Sequence, residues 1–280
     1  EAPEMVYQST DRFILEYQAD LKNVLVTYPE IETTNYLRGL PVELLQKVLR
    51  LQHLSLFIPE SFGGREGDTH HRLALLEATS YESIAVGLMM GINGSLFLEP
   101  VTKYGQEAAK TGVFESFLRG PSLGGLMITE PDFGTDALSM RTSYSQSEKH
   151  FRLTGSKHWG GLTGLADLWL VTARKEKQNN KLARDIDLFI VDKSRKEQKI
   201  TVAEYYHKLG LFLIPYGLND IDATLPATAR LNPRTSGLKL MMDLLHRSRL
   251  RLSGIGLGFI RRMLDEAVCH CQQRFVSGKS

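Results

Sequence analysis

The chain has 280 residues, 42% apolar and 24% charged, and its 34 Lys and Arg against 32 Asp and Glu leave a net charge of +2. This is ordinary globular composition, long enough for two or three packed units, and so small a surplus gives no composition-level case for nucleic-acid binding. Cys269 and Cys271 lie too close together to staple a fold, so a secreted disulfide framework is not supported and a reducing, cytoplasmic setting is expected. No apolar run reads as reaching the roughly 18 residues of a membrane helix, and no membrane span is expected. The acidic start, EAPEMVYQST, lacks the apolar stretch of a signal peptide.

Residues 1–120 read as an all-α domain. TDRFILEYQADLKNVL sets Phe13, Leu15, Tyr17 and Leu21 among polar residues, with Ser9 or Thr10 as the expected cap. PVELLQKVLRLQHL opens with Pro41, suited to a first helical turn, and carries Leu44, Leu45, Val48 and Leu49 on one stripe. IPESFGG at 58–64 is a Pro/Gly break. His70 and His71 fall at an expected helix start, where capping or solvent suffices for them. The stretch 69–105 is apolar on nearly all sides and predicts buried helices. GQEAAKTGVFESFLRG predicts a shorter amphipathic helix closed by Gly120.

Residues 121–233 change to the period-two pattern of strands. GGLMITE, LSMRTSYSQ, HFRLTGSKHWG, DLWLVTAR, DIDLFIVD and KITVAEYY are short and rich in β-branched or aromatic residues, and KEKQNNKLAR reads as a solvated hairpin loop. Strands without intervening helices argue for an antiparallel barrel or sandwich. Residues 234–280 return to helix. One long helix cannot bury itself, so this region reads as the start of a C-terminal helical bundle whose remainder lies outside the chain. The expected fold class is therefore α+β multidomain. Gly254, Gly256 and Gly258 follow no strand and predict close helix packing, not a dinucleotide fingerprint. Cys269 and Cys271, two apart on a helix, diverge, and no metal site is expected.

One stretch carries more chemistry than its length requires. In LMITEPDFGTDALSM, residues 126–140, an apolar run turns through Pro131 and Gly134 with Thr129, Glu130, Asp132, Thr135 and Asp136 packed into eight residues. Taken alone it is a turn satisfied by its own side chains, or a cradle for a polar ligand. Gly134 would let the main chain approach a ligand closely or take a positive φ.

Five blocks in order weigh toward the cradle. MITEPDFGTD resembles the flavin-binding signature of the acyl-CoA dehydrogenase family, and FRLTGSKHWGGLTGLADLWLVTAR resembles its second block. IPESFGG, KYGQEAAKTGVFESFLRG, and HRSRLRLSGIGLG followed by LDEAVCHCQQRFVSGKS are similar to three more. The resemblance spans nearly the whole chain. It implies FAD as cofactor and α,β-dehydrogenation of an acyl-CoA thioester, with electrons passed to a redox partner and a homo-oligomer, dimer or tetramer, as the assembly. An oxidase-like enzyme on the same scaffold, or a degenerate flavin- or acyl-CoA-binding protein, is the alternative.

Residue by residue, the resemblance places the backbone near Met127 and the Thr129 hydroxyl at the flavin's pyrimidine edge. Gly134 and Thr135 fall at its pyrophosphate, Thr135 also toward substrate, and Trp159 falls against the ring. Arg249 would meet the nucleotide part of acyl-CoA, with Arg247 and His246 in support, and Arg274 the FAD of a neighbouring subunit. The acyl pocket would draw on apolar residues of 86–98. Three departures stand out. Gly161 replaces a Thr whose hydroxyl bonds near the reacting flavin nitrogen. Ser277 replaces an aromatic residue. Asp132, beside the phosphate turn, must point outward. The catalytic base is a Glu expected beyond Ser280. Ser248 occupies the position a subgroup uses instead, and Asp265 and Glu266 read as surface acids.

Overall fold

The computed structural model describes residues 3–32, 39–231 and 234–274. The helical part begins with α1 (Pro3–Val26) and α2 (Val42–Arg50). Ser9 and Thr10 lie inside α1, so neither caps it, contrary to expectation; the helix starts seven residues earlier than its polar signal suggested, and Thr10 is buried. Ile14, Tyr17 and Leu21 form the buried face of α1, while Leu15 is exposed. The α2 stripe of Leu44, Leu45, Val48 and Leu49 is buried as predicted, with Pro41 one residue ahead of the first turn.

Helix α3 (Thr69–Glu82) has a cap the sequence hinted at. The Asp68 carboxylate accepts from the His71 amide at 2.9 Å, and the Asp68 amide donates to His71 Nδ1 at 3.4 Å. This reciprocal box holds two otherwise orphaned donors. His71 is buried by it and His70 is exposed.

Helices α4 (Ile84–Gly91) and α5 (Glu99–Tyr104) are joined by a π-helical segment, Ile92–Leu98. The segment Ile84–Tyr104 corrects the expectation that no run has the length and hydropathy of a membrane helix, since an 18-residue window reaches a mean hydropathy of 1.5; 83% of that window is buried inside the fold. Its mixture of Gly, Ser and Asn broke up the apolar run to the eye without lowering its average below that of a span. Helix α6 (Glu107–Arg119) closes at Gly120 as expected.

Seven strands follow: β1 (Gly124–Met127), β2 (Ser143–Gln146), β3 (His150–Gly161), β4 (Leu168–Glu176), β5 (Leu182–Asp192), β6 (Gln198–Tyr205) and β7 (Tyr216–Pro226). They form one sheet of mixed direction, which corrects the purely antiparallel barrel or sandwich. β1 and β2 both run parallel to β4, pairing with Leu168–Val171 and with Arg174–Lys175 in turn. The antiparallel expectation rested on the absence of helices between strands. Here the excursion 128–142 followed by the β2–β3 hairpin returns the chain along β4 in the direction of β1, with no helix needed. β5 lies on the other side of β4, while β3–β7 and β7–β6 are antiparallel.

β7 was not anticipated, although it joins β3 to β6. Its inward positions are Gly217, Asn219, Ile221, Ala223 and Leu225, and Asp220 and Asp222 face out, so half the strand looks like turn chemistry.

The single helix α7 (Gly237–Gln273) runs along α3. A side chain at Gly254 would come within 2.8 Å of the Leu73 carbonyl oxygen, and one at Gly258 would strike that of Glu77. Gly256 meets nothing within 4 Å, so close packing explains two of the three glycines. Phe259, Ile260, Met263 and Leu264 are exposed, as a lone amphipathic helix predicts. Cys269 and Cys271 are exposed, and among the described residues no group of three potential metal ligands occurs.

Candidate functional site

The excursion between β1 and β2 is braced from below by a buried ion pair. Glu130 and Phe133 exchange backbone hydrogen bonds across Pro131 and Asp132, at 3.0 and 3.1 Å, making a tight turn. The Glu130 carboxylate, 4% exposed, accepts from the Arg141 and Thr142 amides at 2.5 and 2.8 Å. Lys157 on β3 is fully buried; its Nζ donates to Glu130 Oε1 at 3.0 Å, to the Ile128 carbonyl at 2.9 Å and to Thr172 Oγ1 at 3.1 Å. One ammonium thus ties the start of the loop, its turn and the floor strand together.

Burial draws the Lys157 ammonium down to about 8, with Glu130 opposing that fall. Burial alone would raise the Glu130 carboxyl; the Lys157 charge and the hydrogen bonds from Thr142 and Arg141 hold it below its ordinary value. Glu130 stood out in the sequence only as one of the turn's oxygen-bearing side chains and Lys157 not at all, although both lie within the two quoted blocks. Asp132 points outward, as expected, 3.4 Å from Arg141.

Above this strut opens a cavity of about 170 Å³. Ile92 and Leu96 of the π-helical segment form one wall, Leu126, Ile128 and Thr129 a second, and His158, Trp159, Gly161 and Tyr216 the third. π-helical turns widen a helix locally and recur at functional sites. Trp159 is 47% exposed, which removes it from the core. It sits at an irregularity in the β3–β7 register, between Lys157 and Gly160, with a left-handed φ of 56°. Successive strand residues ordinarily face opposite sides. The bulge puts both His158 and Trp159 on the cavity.

The surroundings hold that arrangement. The His158 amide donates to the Thr129 carbonyl at 2.8 Å, and His158 Nδ1 lies 2.6 Å from the Tyr206 hydroxyl. The Trp159 ring centroid is 4.9 Å from that of Tyr206 and 6.1 Å from that of Tyr216. A flat ligand therefore has an indole to lie against. The Thr129 hydroxyl and the Trp159 indole N–H have no hydrogen-bond partner among the described residues, which leaves two polar contacts at the cavity for a ligand.

Met127 is fully buried, and its carbonyl accepts from the Thr172 hydroxyl at 3.2 Å, so its neighbours Leu126 and Ile128 line the cavity instead. Gly134 and Thr135 are exposed at the mouth of the excursion. Gly134 does not take a positive φ; of its two anticipated roles, only open access for a ligand remains.

The α7 candidates lie apart from this constellation. Arg249 is exposed and makes no hydrogen bond or ion pair among the described residues. Arg247 pairs with Asp243 at 2.9 Å, so it serves a helix junction. Three bonds, from Lys103, Tyr104 and Arg247, keep the Asp243 carboxyl down at about 2 although burial pushes it up. Ser248 donates to the Leu245 carbonyl at 2.9 Å. Asp265 accepts from the Tyr81 hydroxyl at 2.7 Å and Glu266 pairs with Arg262, consistent with surface acids. Arg274 is exposed at the end of α7, and Ser277 lies outside the described residues.

Residues 24–121 match the acyl-CoA dehydrogenase N-terminal domain and residues 125–218 the acyl-CoA dehydrogenase middle domain. The chain belongs to the acyl-CoA dehydrogenase family. It is 28% identical over 244 residues to an acyl-CoA dehydrogenase of Bacillus subtilis, an alignment covering 85% of this chain and 62% of that relative's length. The chain therefore spans about six tenths of that dehydrogenase. In fold it is similar to butyryl-CoA dehydrogenase from Megasphaera elsdenii, with a TM-score of 0.84 at 24% identity over 96% of this chain and 70% of that one. It is likewise similar to a glutaryl-CoA dehydrogenase from Mycobacterium smegmatis solved with FADH2, with a TM-score of 0.79 at 23% identity over 96% and 69%. At Gly161 a Cβ would lie 3.0 Å from Ile92 Cδ1, a close contact with the end of a side chain, and 3.4 Å from the Tyr216 ring, an ordinary one.

Proposed function

We propose that this chain is the FAD-binding and part of the substrate-binding portion of a flavoenzyme that α,β-dehydrogenates an acyl-CoA thioester and passes the electrons to a redox partner. The observation that carries the reading is the cavity above the Lys157–Glu130 strut, where a bulge displays Trp159 beside the unpartnered Thr129 hydroxyl. The residues present fit an isoalloxazine: a flat indole for its face, short donors for its edge, and apolar walls that exclude water. FAD, when bound, supplies the hydride acceptor. Thr129 serves the ring edge just beyond the β1 end, with Met127 buried behind it as support, and Trp159 serves its face beside Gly161. Gly134 and Thr135 at the open loop take phosphate oxygens, and Thr135 also borders the substrate.

The division into 1–120, 121–233 and 234–280 follows the changes of architecture after α6 and before α7. Arg249, exposed and without a partner, is the phosphate contact for CoA, because a guanidinium grips phosphate with two parallel donors. Arg274 reaches the FAD of a neighbouring subunit in a homo-oligomer. The α-proton needs a desolvated carboxylate as base. Ser248 cannot act so, and its hydroxyl is engaged with Leu245; the base is supplied from outside residues 1–280.

The test is FAD retention by the purified chain through gel filtration, followed by anaerobic addition of saturated acyl-CoA thioesters to the full-length enzyme. Bleaching of the visible band by one of them supports the reading. A protein that holds FAD but bleaches with none, or that holds no FAD in either form, overturns it.

A further inference from the structure

The cavity has a polar group that the motifs do not contain. Tyr216 begins β7 and is the cross-strand partner of Gly161 on β3. Directly opposed residues on neighbouring strands bring their side chains within contact on one face. Here one of the two is glycine, so the tyrosine ring stands without a side chain opposite it. Its Cε1 and Cζ atoms each lie 3.4 Å from where a Gly161 side chain would begin, and both residues line the cavity. Cζ bears the hydroxyl, the only polar group of this lining side chain.

That hydroxyl has no hydrogen-bond partner among the described residues. The ring is held by other means: Trp159 packs against it in an edge-on arrangement at 6.1 Å, and Lys208 Nζ lies 5.0 Å from its centroid. Its backbone carbonyl accepts from the Tyr206 amide at 2.9 Å. The phenol is thus positioned by packing while its polar end is left unused. Burial raises its pKa, so it keeps its proton at neutral pH and serves as a donor.

We propose that Tyr216 is a cofactor-contact residue, whose phenolic O–H donates a hydrogen bond to the ring seated against Trp159, in the space left by Gly161. Glycine at 161 and tyrosine at 216 are then one device, in which the polar contact at this point of the cavity comes from β7 across the ladder. The inference rests on the flavin reading above and adds the residue that touches the ring from β7.

The experiment measures FAD affinity and the visible spectrum of the bound flavin in the full-length wild-type enzyme. Tyr216→Phe removes only the O–H. A hydrogen bond of ordinary strength is worth about fivefold to tenfold in binding, so the FAD Kd should rise by about that factor and the visible band should shift. The melting temperature without FAD should not fall, because no protein group loses a partner.

Two further variants guard against a merely structural effect. Tyr216→Ala should weaken FAD binding by removing both ring and hydroxyl. Gly161→Thr added to Tyr216→Ala should recover part of the affinity by returning a hydroxyl from β3, whereas Gly161→Thr alone should disrupt the site against Ile92 and Tyr216. A wild-type protein that binds FAD, together with a Tyr216→Phe variant of unchanged Kd and spectrum, would overturn this inference and leave the flavin reading intact. A wild-type protein that binds no FAD would overturn both.

Discussion

Two buried ionic clusters, one under the β sheet's loop and one among the helices, are built to different standards. Under the loop, one ammonium meets one carboxylate, and the surplus capacity of each is taken by Ile128, Thr172, Arg141 and Thr142. Among the helices, Arg72 of α3 and Arg251 of α7 converge on Oε1 of Glu99, each at 3.1 Å, with Arg247 at 3.8 Å. Glu99 Oε2 and Arg251 Nε and Nη1 are buried without a partner. Removing charges from water costs several kcal/mol per ion, and only complete pairing repays it. The first cluster therefore fixes a shape. The second crowds positive charge at a joint between helices and leaves polar atoms unpaired.

The largest expected effect tests that contrast directly. Lys157→Met leaves Glu130 buried and uncompensated, and should cost about 3–5 kcal/mol in denaturant unfolding, with loss of FAD retention. Arg251→Met leaves Arg72 on the same carboxylate and relieves their mutual repulsion, so it should change stability by about 1 kcal/mol or less. Equal losses from the two variants would erase the distinction drawn between the clusters.

A third buried polar group has no ionic partner among the described residues and sharpens the comparison through pH. His53 is fully buried beside Tyr17, with ring centroids 5.0 Å apart, and burial pushes its pKa down to about 3. The unfolded chain takes up this proton near pH 6.5, while the native one does so only near pH 3. Stability from this group is thus fully present above about 6.5 and is lost as pH falls toward 3, by a few kcal/mol at most. His53→Leu should flatten the stability profile over that window. An unaltered slope would show that His53 is not kept neutral.

The smaller effects lie where α7 meets α3. Gly258→Ala forces a methyl group onto the Glu77 carbonyl and should cost about 1–3 kcal/mol in thermal or denaturant unfolding. Gly256→Ala, which meets nothing, should gain up to about 1 kcal/mol from helix propensity. If both substitutions destabilised alike, α7 would be packed on the side that is open here.

Much of this protein was legible in its order of residues. Apolar stripes such as Leu44, Leu45, Val48 and Leu49 announce a helix face because burial follows the helical period. The strands β1 to β6 were legible from their alternation, and the turn after β1 from Thr129, Pro131 and Gly134, because turn chemistry is a local property, whereas its reading as a cradle came from the resemblance. What alternation does not encode is who pairs with whom. The parallel run of β1 and β2 beside β4, the unforeseen β7 with Asn219 and Gly217 facing inward, and the strut from Lys157 to Glu130 all depend on residues distant in sequence. Gly161 reads as a simple loss until Tyr216 is seen across the ladder. Local sequence settles periodicity and turns; only the assembled sheet decides which lysine is buried, which glycine faces a tyrosine, and which side chains meet at the cavity.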